Sequence, residues 1–153
     1  MKMACKVCEQ VKNTKKVYQD DTISAFLSET SPVAGHIIVT PNEHYTIFEQ
    51  VPSKIVTLVF NLVNQLSLVL VQNLQMGGVN VVVNNGVAAG QSVPHFYVDV
   101  IPRNEGDGFD FSWQGNKVDE NRLTELQQNI TDILKKKDEP EAQKEPEDEE
   151  SVD

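Results

Sequence analysis

The chain has 153 residues, 39% of them hydrophobic, and a formal net charge of −10, enough length for one compact domain with a sizeable core. Nucleic-acid binding requires a basic stripe, and the one basic cluster, Lys135-Lys136-Lys137, closes an expected helix, where it complements the helix dipole. The first five residues lack the apolar core of a secretory signal, and Asn61, Asn64, Gln65, Gln72 and Asn73 interrupt the longest apolar run, Ile55 to Leu74, so neither export nor a membrane span is expected and the cytoplasm is the expected location.

The two cysteines stand three apart, as Cys5-Lys6-Val7-Cys8. Without export, that spacing favours metal binding or redox chemistry over a structural disulfide. Lys16-Val17-Tyr18 reads as a short strand, followed by an Asp20-Asp21 turn. Strands are also expected over Thr22–Leu27 and Gly35–Thr40, the latter ended by Pro41-Asn42. Pro52-Ser53 opens a long helix running to about Met76, and Gly77-Gly78 stops it. Its apolar residues at helical period include Ile55, Leu58, Val59, Leu62, Leu66, Val69, Leu70 and Leu74. Others, such as Val56, Phe60, Val63, Leu68 and Val71, fall outside that stripe. A helix apolar on more than one face has a second burial partner, which points to a homodimer.

Val79–Val83 is a β-branched strand, Asn84-Asn85-Gly86 a turn signal, and Val93–Ile101 the next strand. Alternation along that strand would put His95, Tyr97 and Asp99 on one face and Phe96, Val98 and Val100 on the other, in the core. A last helix is expected from about Asp119 to Lys137, with Leu123, Leu126, Ile130, Ile133 and Leu134 on its apolar side. Residues 138–153 hold nine acidic residues and one lysine, net −8, which leaves −2 for residues 1–137. The expected organisation is therefore an α+β domain over residues 1–137 and a disordered acidic tail over 138–153.

Gln91-Ser92-Val93-Pro94-His95-Phe96-Tyr97-Val98-Asp99-Val100-Ile101-Pro102-Arg103 resembles the signature of the histidine-triad (HIT) family. There, His alternates with apolar residues three times before an Ile-Pro-Arg or similar end. Cys5-x-x-Cys8, Ala25-Phe26-Leu27, Gly35-His36-Ile37-Ile38-Val39-Thr40-Pro41, His44, Asn84-Asn85-Gly86, Ala89-Gly90-Gln91-Ser92 and Gly106-Asp107-Gly108-Phe109 extend the resemblance over residues 5 to 134. It implies a HIT-like fold, an antiparallel sheet with one long helix after the third strand and a C-terminal helix. It also implies chemistry on nucleotides at the α-phosphate, in which the middle triad histidine is the nucleophile. Here Tyr97 takes the second triad position and Asp99 the third. A phenol with an ordinary pKa of about 10 is mostly protonated at neutral pH. A carboxylate about 4 Å from a phosphate is repelled by roughly 4 kcal/mol at an effective dielectric of about 20.

The resemblance places His36 beside the nucleophile and assigns Asn84, Gly90, Gln91 and Ser92 to a phosphate cradle and Phe26 to the base. Ser28 stands where the family commonly has an Asp that grips the ribose hydroxyls. It further implies a structural zinc held by Cys5, Cys8, His44 and His95, a Cys2His2 set that closes a tetrahedron. The leading expectation is a HIT-like protein that binds a purine nucleotide or another phosphate ligand and lacks the usual hydrolase or transferase activity. Two alternatives stand beside it. One is an active nucleotide hydrolase in which Tyr97 is the nucleophile and Asp99 or His36 the base. The other is an interaction module that engages a protein partner through its acidic tail.

Overall fold

The computed structural model describes residues 5–138. They divide into two units, with the boundary between Asp110 and Phe111. The first unit runs α1 (Lys6–Asn13), β1 (Lys16–Gln19), β2 (Ile23–Leu27), β3 (Ile37–Pro41), α2 (Ser53–Leu68), β4 (Gly78–Val82) and β5 (Val98–Arg103). The strands form one antiparallel sheet in the order β1-β2-β3-β5-β4. The second unit holds α3 (Glu120–Asp138), capped by Asp119, whose carboxylate accepts the Arg122 amide at 3.1 Å. The acidic stretch expected to form a tail lies outside the described residues, apart from Asp138 at the end of α3.

Strand register decides which side chains meet. Ala25, Val39 and Val98 stand opposite one another across β2, β3 and β5, and so do Phe26, Ile38 and Asp99, on the other face. The first face carries the main core, where Ile23, Ala25, Ile37, Val39, Val98 and Val100 pack against Val59, Leu62, Val63 and Leu70 from α2 and its extension. The second face is covered by α1, whose Val7 and Val11 bury Phe26 and Ile38, with Cys5, Val93 and Tyr97 at the margin.

The long helix differs in detail from its expected form. It is α-helical to Leu68, then widens into a π-helical turn over Val69–Asn73 that carries a Leu74 N–H to Val69 C=O bond of 3.1 Å. Gln75, at φ 55°, closes it in the left-handed region. By length and composition Ser53–Asn73 is apolar enough to cross a membrane, and here it lays one face on the sheet. Its other face exposes Leu58, Phe60, Leu68, Val69, Val71 and Leu74. Among the described residues, β4, at the end of the sheet beside the π turn, has no strand paired to its outer edge.

The triad strand is shorter than its pattern predicts. Only Val98–Arg103 is strand, and residues 93–97 bend out of the sheet. Pro94 explains part of this, since it has no amide to give to a ladder. The Phe96 amide instead donates to the Tyr45 carbonyl at 2.6 Å. Beyond the strand, Arg103 grips Asp107 through two nitrogens, at 2.6 and 2.9 Å, and reaches Asn80 at 2.6 Å and the Phe109 carbonyl. The guanidinium holds the Asp107 carboxyl well below the usual carboxylate range. This clamp joins the Ile-Pro-Arg end of β5 to the Gly106-Asp107-Gly108 turn.

Candidate functional site

Cys5 and Cys8 are one turn apart at the start of α1. The Cys5 carbonyl accepts the Glu9 amide at 3.0 Å, so the first turn fixes both thiols on one side of the helix. His44 follows the end of β3, and His95 lies in the bend before β5. Those segments bring His44 Nδ1 to 3.4 Å from Cys8 Sγ, and His95 Nδ1 to 3.4 Å from both sulfurs. The two rings meet edge to face with centroids 4.8 Å apart, and all four donor atoms fall within 4.8 Å of one another. A tetrahedral site with Zn–S of about 2.3 Å and Zn–N of about 2.0 Å has an S···N edge of roughly 3.5 Å. Cys5, Cys8, His44 and His95 are therefore placed to hold a metal ion.

Electrostatics agree with that donor set. His95 is buried, and burial, followed by the charge of His44, lowers its pKa to about 4, so the ring is a neutral ligand at neutral pH. Burial and then the neighbouring Cys5 raise the Cys8 pKa. A divalent cation held by these two thiols and two imidazoles would favour the thiolate form of both cysteines.

A second cluster lies on the same side of the sheet. His36 Nε2 is 2.8 Å from Asp99 Oδ1, and His36 Nδ1 is 3.1 Å from Ser31 Oγ. His36 and Asp99 are both buried and Ser31 is exposed. The imidazole thus bridges the Asp99 carboxylate and the Ser31 hydroxyl through its two ring nitrogens. Asp99 is thus the partner of His36 and not a free charge facing an empty site. Tyr97 is partly buried against the α1 cluster. The pleat alone puts Asp99 on this face, while His95 and Tyr97 reach the same side through the bend.

The remaining candidates have mixed positions. Gly86 (φ 87°), the 3-10 turn Val87–Ala89 and Gly90 (φ 84°) form a tight exposed loop. Gln91 is its brace. Its Oε1 accepts the Gly86 amide at 2.7 Å, and its Nε2 donates to the carbonyls of Thr46 at 2.7 Å and Val93 at 3.0 Å. Those bonds use the side-chain groups that a phosphate would need. Gln91→Ala is expected to cost about 1–3 kcal/mol by leaving these groups unpaired; a thermal melt unchanged from wild type would contradict this. Ser92 is exposed and Asn84 half-buried. Phe26 has no exposed surface and sits wholly inside the cluster under α1. The Ser28 hydroxyl donates to the Thr30 carbonyl at 2.8 Å.

Sequence reasoning missed three contributors. Ser31 reaches His36 from a loop whose only mark is Ser31-Pro32. Asn85 accepts the Phe48 amide at 2.9 Å and donates to Glu49 at 2.8 Å, pinning the 3-10 turn Phe48–Gln50 to the loop. Neither has a local pattern that reveals it. The Arg103–Asp107 clamp, at i,i+4 outside a helix, needed the turn geometry.

A model of the HIT domain matches residues 9–106. An uncharacterized HIT-like protein of Methanocaldococcus jannaschii is 38% identical over 104 residues, 68% of this chain and 80% of that protein. The protein hit of Bacillus subtilis is 30% identical over 133 residues, 86% of this chain and 91% of that one. An adenylylsulfatase of Arabidopsis thaliana is 34% identical over 104 residues, 67% of this chain and 52% of that protein. Among solved structures, a HIT-family protein of Bacillus subtilis superposes with a TM-score of 0.76 at 27% identity, over 84% of this chain and 96% of that one. A zinc-bound histidine-triad protein of Mycobacterium smegmatis shares the fold, with a TM-score of 0.65 at 24% identity over 86% and 98% of the two chains.

Proposed function

Because this chain belongs to the HIT family, we propose that it is a member that binds a nucleotide or another phosphate ligand, lacks the family's usual hydrolase or transferase activity and carries a structural zinc. The observation that carries this reading is the division between two sets of residues on one sheet face. The four metal donors are complete, while Tyr97 and Asp99 stand in the second and third triad positions. Asp99 is hydrogen-bonded to His36, which engages the imidazole nearest in role to the missing ones. One similar structure is zinc-bound and one relative is an adenylylsulfatase, which supports zinc as the metal and an adenylate as the ligand class. Thiolate ligands suit the reducing cytoplasm.

Metal chemistry at this centre would be structural. Four protein donors leave no open position for water or substrate. Cys5 and Cys8 would tie α1 to the segments that carry His44 and His95, and so hold the helix over Phe26, Ile38 and Tyr97. The outer face of α2, with Phe60, Val71 and Leu74, together with the open edge of β4, would bury against a second copy.

A calorimetric titration tests the ligand. AMP is expected to bind weakly, and 2′-deoxy-AMP to bind within about twofold of it, because the Ser28 hydroxyl is engaged by Thr30 and offers no two-pronged ribose grip. Inorganic phosphate should compete with both. No heat from AMP or phosphate would remove nucleotide binding, and the protein-partner reading would take its place.

A further inference from the structure

The His36 imidazole joins a buried carboxylate to an exposed hydroxyl. Its Nε2 is 2.8 Å from Asp99 Oδ1, and its Nδ1 is 3.1 Å from Ser31 Oγ. His36 and Asp99 are 8% and 9% exposed, while Ser31 is open to solvent. Neither the metal centre nor the Gly86–Gly90 loop uses Ser31. A hydroxyl, an imidazole and a carboxylate connected in that order form the set that activates a serine nucleophile. Such sets are recognised by geometry and role, whatever the order in the chain.

The local sequence holds Ser31 in place. Pro32 fixes its own φ and restricts Ser31 to extended backbone. Gly35, at φ 89°, turns the loop toward β3, and a Cβ there would meet Pro102 Cγ at 3.3 Å. Asp99 is set by register, with Ile38 opposite it. The Ser31 oxygen accepts the Val33 amide at 3.2 Å, and its hydroxyl donates to the Val33 carbonyl at 2.7 Å. Turning that hydrogen toward Nδ1 would engage the imidazole. Directly after Ser31, Pro32, Val33 and Ala34 line a cavity of about 370 Å³ together with Met76 and Pro102, an apolar wall with room for a short acyl group.

We propose that Ser31 is a nucleophile toward small carboxylic esters, with His36 as its base and Asp99 as the group that orients His36. Ser31 Oγ attacks the ester carbonyl carbon, and its proton passes to His36 Nδ1. The ester C–O bond breaks, and His36 gives the proton to the leaving alcohol. Water then attacks the acyl-serine, its proton goes to Nδ1, the carboxylic acid departs and Ser31 regains its hydrogen. Asp99 accepts Nε2–H throughout and favours the imidazolium that forms at each attack. This activity requires neither nucleotide nor zinc.

A fluorophosphonate probe tests it on the full chain. Attack by Ser31 would form an Oγ–P bond, release fluoride and pass the hydroxyl proton through His36 to solvent. Wild type, Ser31→Ala and Asp99→Asn are treated side by side, the labelled peptide is identified by mass, and circular dichroism checks folding. The expected result is a label on Ser31 in the wild type, none on that peptide in Ser31→Ala and labelling about 10²-fold slower in Asp99→Asn. Hydrolysis of p-nitrophenyl acetate is expected to fall to the buffer rate in Ser31→Ala. Ser31 is exposed, so Ser31→Ala keeps the test decisive even where Asp99→Asn does not fold. An unlabelled Ser31 in the folded wild type would overturn the proposal, as would equal ester hydrolysis by wild type and Ser31→Ala. Labelling of Ser31 at an unchanged rate in folded Asp99→Asn would overturn the role of Asp99.

Discussion

Stripping the metal with a chelator, or making Cys8→Ser, is expected to remove close to one equivalent of zinc per chain and to lower the melting midpoint by roughly 10 °C or more. The reason is where the four donors sit. Cys5 and Cys8 belong to α1, His44 to the segment after β3 and His95 to the bend before β5. α1 is only eight residues long and buries two large side chains, Val7 and Val11. A helix that short has little stability of its own, so a bound metal would be its principal anchor. Freeing it would uncover Phe26 and Ile38, which are buried beneath it. Chelation of the Cys8→Ser protein should add little to the substitution, because both remove the same bond set. Metal analysis showing no zinc, or equal melts with and without chelator, would contradict this.

The metal-free protein should also acquire an acid sensitivity. His95 in the fold is held near a pKa of about 4 by burial first and His44 second, whereas an unfolded histidine titrates at about 6.5. Between those values the unfolded chain binds the proton and the folded one does not. Stability is therefore full above about pH 6.5 and falls as pH drops toward about 4. A flat melting midpoint over that range would count against a buried neutral His95.

Much of the fold was legible because its signals are local. Pro52-Ser53 and Gly77-Gly78 bracket the long helix, and β-branched runs mark β3 and β4. The shortened β5 was not legible. The alternating pattern continues through His95 and Tyr97, but pairing partners decide where a strand starts, and the Phe96 amide is taken by Tyr45 from a distant loop. The four metal donors were named from family resemblance, since His44 and His95 lie 36 and 87 residues from Cys8 and no local spacing links them. The His36–Asp99 bond spans 63 residues and follows from register alone: β3 pairs with β5 so that Ile38 faces Asp99, which leaves His36 two residues along the same face. Gln91 was expected to donate to a ligand and is spent on the loop itself, a distinction that sequence does not carry.

The second large effect concerns catalysis. A neutral imidazole at the middle triad position attacks phosphorus readily near neutral pH, and a tyrosine hydroxyl needs an adjacent base to do so. Restoring histidine at both altered positions removes the Asp99 carboxylate from the site and frees His36 from it. General acid–base and nucleophilic roles of this kind are worth about 10²–10⁴-fold each. The most direct measurement compares the wild type with the Tyr97→His/Asp99→His variant on an adenosine phosphoramidate and a dinucleoside polyphosphate. The expected result is no turnover by the wild type and a rise of at least about 10²-fold in the variant. Robust wild-type turnover that disappears in Tyr97→Phe would contradict the account and make Tyr97 the nucleophile.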